Sequence, residues 1–331
     1  MTIARRTFLR WIGGAAAAGA APARHVRAEA RVPRIGVLES WSPAAFPHRL
    51  QAFRDGLAEL GHAEGRTFAI EYRSARGDAN ALPALAAELA KLEVDVIFAA
   101  TTATALAARR ATSRIPIVIA VVADPIGAGL IASLARPGGN VTGLTTANTQ
   151  VVPKRVQLLR EAAAGAAARV GLLMNPSDAS NLIVRRAAET EARALGFALQ
   201  IFEAADRAAL ESAFSRMAAE RIQALMVAAG QLMDSEAKRI AELAARHRLP
   251  AMYGAPEFVE AGGLMSYSAS FTDNFRRAAA YADRILKGAA PAELPVEQAG
   301  TFEFVVNLKA AAALGLKLPP SFLVQATRVI E

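Results

Sequence analysis

From about residue 33 onward the chain alternates two hydrophobic patterns. Short runs of apolar, often β-branched residues end at polar or turn residues. Each is followed by a longer Ala/Leu-rich stretch whose apolar positions recur every three or four residues. The first pattern is that of a buried parallel strand and the second that of an amphipathic helix. Strands are expected at 35–39, 67–73, 94–99, 116–122, 169–174, 198–203, 224–229 and 250–253. Helices are expected at 47–60, 80–92, 102–112, 126–135, 152–163, 180–195, 207–219 and 234–246. Gly61 and Gly196 follow two of these periodic stretches, where a left-handed C-cap belongs.

Two groups of four such units flank an irregular segment, 136–144, rich in turn residues. A second irregular stretch, 261–268, leads to one more helix with Phe271, Phe275, Ala278, Ala282 and Ile285 on one face. A third joint, 288–295, precedes a strand at 302–307 and a terminal helical pair. The pattern implies an α/β fold of two Rossmann-like lobes with parallel sheets, joined by several crossings. The joints place 33–143 with 268–290 in the first lobe and 144–267 with 291–331 in the second. Ligands of open α/β sheets sit at the carboxyl ends of strands, so the cleft between the lobes is where a site is expected.

A length of 331 residues suits two domains. The absence of cysteine excludes a disulfide framework, a cysteine nucleophile and cysteine-ligated metal. A net charge of +8 first suggests a nucleic-acid partner. The position of the charge changes that reading. Arg5, Arg6, Arg10, Arg24 and Arg27 lie within residues 1–30, opposed only by Glu29, and frame an apolar Ala/Gly-rich run too short to span a membrane. A basic start, this run and Ala28-Glu29-Ala30 have the form of a cleavable signal peptide, and the adjacent arginines before Phe8-Leu9 suggest the twin-arginine route. Without 1–30 the chain holds 33 basic and 29 acidic residues, a net +4. No nucleic-acid partner is expected, and a periplasmic location is.

Catalytic motifs are missing. Gly127-Ala128-Gly129-Leu130-Ile131-Ala132 imitates a dinucleotide fingerprint, but no acidic residue follows between Asp124 and Glu161 to hold a ribose. It reads as a close-packed helix start. No phosphate loop, nucleophile elbow or zinc-helix motif occurs, and His48, His62 and His247 lack ligand spacing. No enzymatic activity, metal or cofactor is expected.

Polar residues at strand ends remain. Thr101 and Thr102 open a helix, either capping it or helping its free amides hold an anion. Asp124 before Pro125 is either an N-cap or a carboxylate facing a ligand ammonium. Ser40 and Trp41 end the first strand, with Trp41 a stacking surface or simply packed. Asn175, Ser177, Ser180 and Asn181 follow the strand at 169–174, and Tyr253 and Glu257 flank the end of another. Both lobes thus offer groups that suit a small amphoteric ligand.

Several strings in one order and spacing carry a family resemblance. They are Gly77-Asp78 before the leucines at 82–89, Ala123-Asp124-Pro125-Ile126-Gly127, the segment 136–143, the segment 258–267, and 284–288 continuing to 294–298. Together they resemble the tryptophan/tyrosine-type substrate-binding proteins of ABC transporters. The resemblance implies the type I periplasmic-binding-protein fold, with three crossover segments and lobes that close on a small carboxylate-bearing solute, an amino acid or aromatic acid. It implies as partners an ABC permease and its ATPase in the inner membrane; since nothing in the sequence indicates an obligate oligomer or a spanning segment, a monomeric mature chain that does not span the membrane is expected. By similarity the ligand-binding residues are Ser40, Trp41, Thr101, Thr102, Asp124, Asn175, Asn181, Tyr253 and Glu257. A ligand-sensing regulatory module and an exported enzyme on the same scaffold are the competing readings; the first needs an N-terminal DNA-binding motif where 1–32 hold a signal, and the second a base and nucleophile pair.

Overall fold

The computed structural model describes residues 31–163 and 168–331, so the expected signal segment, 1–30, lies outside the described residues. The first sheet is built from β1 (Arg34–Glu39), β2 (Ala69–Ser74), β3 (Val96–Phe98), β4 (Ile117–Val122) and β5 (Val141–Thr145). Between them run α1 (Pro47–Glu59), α2 (Leu82–Lys91) and α3 (Thr102–Ala111). The chain continues through α4 (Asn148–Ala162), β6 (Arg169–Met174), α5 (Ala179–Leu195), β7 (Ala198–Glu203), α6 (Arg207–Ala219) and β8 (Ala224–Val227). There follow α7 (Gln231–Ser235), α8 (Ala237–Arg246), β9 (Ala251–Tyr253), α9 (Glu257–Glu260), β10 (Met265–Ala269) and α10 (Phe271–Leu286). Last come β11 (Glu297–Gln298), β12 (Phe302–Asn307), α11 (Leu308–Ala313), α12 (Pro320–Leu323) and β13 (Arg328–Ile330).

The first sheet has the order β11-β5-β4-β3-β1-β2, with every pair parallel. The second has the order β13-β12-β10-β9-β8-β6-β7, parallel except where β10 and β12 run antiparallel. Two lobes of α/β architecture follow. The central strands are buried on both faces, which is why β3, β4 and β8 are almost uninterrupted Val, Ile, Leu, Ala and Met.

The chain passes from the first sheet to the second after Thr145, back after Ala269, and over again after Gln298. The third crossing comes later than the turn residues at 288–295 suggest. Segment 291–298, assigned to the second lobe from sequence, joins the first: Val296 is buried in its core, its amide donates to the Leu134 carbonyl at 2.7 Å, and β11 pairs with β5. The returning α10 packs on α1 beside the Phe98 ring, which stacks on Phe53 at 4.2 Å and meets Phe275 edge-on at 5.2 Å. Gly56 makes the close approach possible, since a Cβ there would lie 2.3 Å from the Arg276 carbonyl oxygen.

The helix expected at 126–135 does not form. Asp124 Oδ1 accepts from the Gly127 amide at 2.8 Å, Gly129 adopts a left-handed φ of 69°, and the segment closes as successive turns. The apparent dinucleotide string therefore opens no helix. β13 went unpredicted, because its Arg328-Val329-Ile330 is too short to show a period.

Candidate functional site

The carboxyl ends of both sheets meet at one interlobe cavity of about 60 Å³. From the first lobe it is lined by Ser40 and Trp41 after β1, Thr101 and Thr102 after β3, and Thr146 after β5. From the second come Asp178 and Ser180 after β6, Gly230, Gln231 and Asp234 after β8, and Gly254 after β9. Phe271, the first residue of α10, closes one side.

On the first-lobe wall Thr101 caps α3 in a reciprocal box: its Oγ1 accepts from the Thr104 amide at 3.3 Å, and Thr104 Oγ1 accepts from the Thr101 amide at 3.0 Å. The amides of Thr102 and Ala103 have no partner among the described residues and belong to the positive end of this ten-residue helix. The side chain of Thr102 is turned inward, accepting from the Ala123 amide at 3.4 Å. Ser40 Oγ lies 3.5 Å from Thr101 Oγ1. Hydroxyls and free amides thus converge on one corner, a grouping with the chemistry to hold an anion.

The opposite wall is acidic. Asp178 caps α5: Oδ1 accepts from the Ser180 amide at 2.9 Å and from Ser180 Oγ at 2.6 Å. Asp234 is 6% exposed, and its Oδ1 accepts from the Gly230 amide at 3.2 Å. Burial pushes the Asp234 carboxyl up to about 7; Arg49 lowers it, while Glu257 and Asp178 add to the rise. Among the described residues no Lys, Arg or His lines the cavity. Arg49 stands behind it, with its guanidinium carbon 4.1 Å from the Phe46 ring centre, 4.9 Å from Phe271 and 5.1 Å from Trp41.

Several polar contacts among the described residues join the lobes across this site, including an approach of His48 Nε2 to Glu257 Oε1 at 3.7 Å. Arg49 Nε donates to Glu257 Oε1 at 3.1 Å, and Nη2 donates to the same oxygen. Gln231 Nε2 donates to the Ser40 carbonyl at 3.2 Å. Burial alone would raise Glu257, but the Arg49 charge, together with hydrogen bonding, outweighs it and brings the carboxyl down to about 2.

Of the residues singled out from sequence, Ser40, Trp41, Thr101, Thr102 and Ser180 line the cavity. Asp124 does not: it serves its own turn and borders a separate surface pocket with Arg186 and Glu191. Asn181 is fully buried, accepting from the Asn175 amide at 2.8 Å and donating to the Ala229 carbonyl at 2.7 Å, so it ties the loops after β6 and β8 together. Asn175 lines an adjoining outer pocket. Tyr253 stacks on Phe258 at 4.9 Å inside the second core, 1% exposed. Glu257 lies behind the cavity as the partner of Arg49. The sequence reading missed Arg49, Thr146, Asp178, Gly230, Gln231, Asp234 and Phe271. Asp178 and Gly230-Gln231 carried the same signal as the residues chosen, since they too follow the ends of expected strands.

Among the described residues no group of three His, Asp or Glu residues is placed to hold a metal, and no helix is long and apolar enough to cross a membrane. A family model described as ABC transporter substrate binding protein matches residues 34–330. A tyrosine-binding protein of Clostridioides difficile is 24% identical over 283 residues, covering 86% of this chain and 81% of that one. A crystal structure from Streptococcus pneumonia, an ABC domain in complex with L-Trp, superposes with a TM-score of 0.84 at 27% identity, covering 90% of this chain and 99% of that one. The ligand-free, open structure of a substrate-binding protein with adhesive properties from Clostridium difficile gives 0.69 at 25% identity, covering 91% and 99%.

Proposed function

The chain belongs to the family of ABC transporter substrate-binding proteins and is a binding protein, not an enzyme; from that premise we propose that it is a periplasmic receptor for an amino acid. One observation carries the reading: a corner of hydroxyls and free amides on one lobe faces two carboxylates on the other across a single cavity. The ligand carboxylate would lie at the start of α3, accepting from the Thr102 and Ala103 amides and the hydroxyls of Ser40 and Thr101. Its ammonium would lie between Asp178 and Asp234. Trp41 Nε1, buried without a partner among the described residues, supplies a further donor. An unmade hydrogen bond of this kind costs roughly 1–3 kcal/mol, so a bound acceptor favours the closed lobes.

Closure follows from the same geometry, because only the closed arrangement lets a ligand touch both lobes. The higher TM-score against the L-Trp complex than against the open, ligand-free relative supports reading this lobe arrangement as the closed form. The receptor would be exported by the twin-arginine signal at 1–30, act as a monomer, and deliver its ligand to a permease driven by an ATPase. Calorimetric titration of the purified protein with the L-amino acids tests the reading. Saturable one-to-one binding of at least one of them is expected, and no binding by any would refute it.

A further inference from the structure

The inner cavity, at about 60 Å³, is smaller than the roughly 150 Å³ void that holds a benzene molecule. It has room for the amino-acid head and not for a ring. A second pocket of about 350 Å³ adjoins it and shares Ala103, Asp178 and Gln231 as walls. The two spaces lie end to end along α3. Thr102 and Ala103 face the inner one, and Ala103, Leu106, Ala107 and Arg110 face the outer one. That spacing of three, four and seven puts these side chains on one helix face. Leu82 and Pro83, at the start of α2, form the apolar wall beside them.

Arg110 ends this apolar strip. It has no hydrogen bond or ion pair among the described residues, whereas its neighbour Arg109 is held by the carbonyls of Gly129 and Leu130 at 2.9 and 2.8 Å. Seven residues of helix separate Ala103 from Arg110, about 10 Å. Helical side chains lean toward the N-terminus, so the guanidinium is directed back over the pocket.

We infer that the outer pocket is the side-chain subsite, and that it selects amino acids whose apolar body ends in an anionic group that Arg110 can meet. The inference rests on the amino-acid reading above and adds to it the direction and chemistry of the side chain. The slot has one apolar wall on α2 and α3, a facing polar wall of Asn175, Ser177, Asp178 and Gln231, and one unpaired cation at its far end; that fits a ligand with an apolar body against the helices and a negative tip at Arg110.

The test compares L-alanine, L-phenylalanine and L-4-carboxyphenylalanine as calorimetric ligands for the wild-type protein and for Arg110→Gln and Leu106→Trp. The carboxylated compound is expected to bind about fivefold more tightly than phenylalanine to the wild type, the range of a partly exposed ion pair. Arg110→Gln should reduce that ratio to about one while leaving alanine unchanged. Leu106→Trp should weaken both aromatic ligands about tenfold or more and spare alanine, which shows that the variant is folded. A wild-type ratio near one, a ratio that survives Arg110→Gln, or equal loss of all three ligands in Leu106→Trp would overturn the subsite while amino-acid binding itself stands. Failure of every amino acid to bind the wild type would overturn both.

Discussion

Arg49 of the first lobe and Glu257 of the second form a buried, charge-assisted contact between the lobes, with Nε 3.1 Å from Oε1. The pair is incomplete: Arg49 Nη1 and Glu257 Oε2 are buried with no hydrogen-bond partner among the described residues. Closing the lobes therefore gains one ion pair and strands two polar atoms that water reaches when the lobes part. Such a balance leaves closure near neutral without ligand and lets differential contacts with the ligand decide the outcome.

Glu257→Gln is expected to weaken ligand affinity about tenfold or more, because Arg49 is then buried without its counter-charge in the closed state alone. Small-angle scattering should show a larger radius of gyration for the ligand-free variant. The acidic dependence has a definite sign. The Glu257 carboxyl lies at about 2 against a usual 4.5, so its contribution to stability is present above 4.5 and is lost as pH falls toward 2. Thermal melts from pH 6 to 3 should show that loss shrinking in the variant.

Asp234 gives the opposite sign. Its carboxyl, raised from 3.8 to about 7, keeps its proton in the folded protein where the unfolded chain has lost it. Ligand-free stability should accordingly fall as pH rises from about 4 to 7. A bound ammonium favours the carboxylate, so affinity should rise about tenfold from pH 6 to 8, following the ionised fraction of a group near 7. Asp234→Asn should flatten the affinity profile, and titrations across that range check it.

The sheets were legible because buried parallel strands leave uninterrupted apolar runs such as those of β4 and β6, and because the intervening helices carry a clear three-to-four period. The site was legible only in part. Thr101 and Thr102 announce themselves as the start of a helix after a strand, which both caps it and bares its amides. Arg49 and Asp234 lie within helices, and nothing local tells that tertiary packing will bury their charges behind or against the cavity. Tyr253 shows the reverse error: an aromatic at a strand end looks available, yet it fills the core against Phe258. The missed 126–135 turn has a local cause, two glycines and a proline that outweigh an apolar period.

Asp124→Ala is expected to leave ligand affinity within about twofold of wild type. The carboxylate faces its own turn, where Oδ1 accepts from the Gly127 amide. Its loss should lower stability by about 1 kcal/mol, the usual net contribution of one hydrogen bond. Calorimetric titration alongside denaturant unfolding separates the two effects, and a large drop in affinity would return Asp124 to the site.

Gly230→Ala should be the more damaging change, although it removes no polar group. The loop after β8 runs so close to the start of α5 that a Cβ on Gly230 would lie 2.5 Å from Asp178 Oδ2 and 3.0 Å from Asn181 Nδ2. Asp178 is held by its two contacts with Ser180, and Asn181 by its bonds to Asn175 and Ala229. Neither can retreat without breaking a cap or the tie between loops, so the backbone at 230 must move instead. That displacement would carry Gln231 away from the Ser40 carbonyl and Asp234 away from the Gly230 amide, loosening one wall of the cavity and one of the contacts that join the lobes. A loss of about 1–3 kcal/mol in stability is expected from the overpacking, with ligand affinity falling about tenfold or more. Asp178→Asn in the same background tests the cause: with the negative charge gone and the clash retained, stability should not recover, which thermal unfolding of the single and double variants would show.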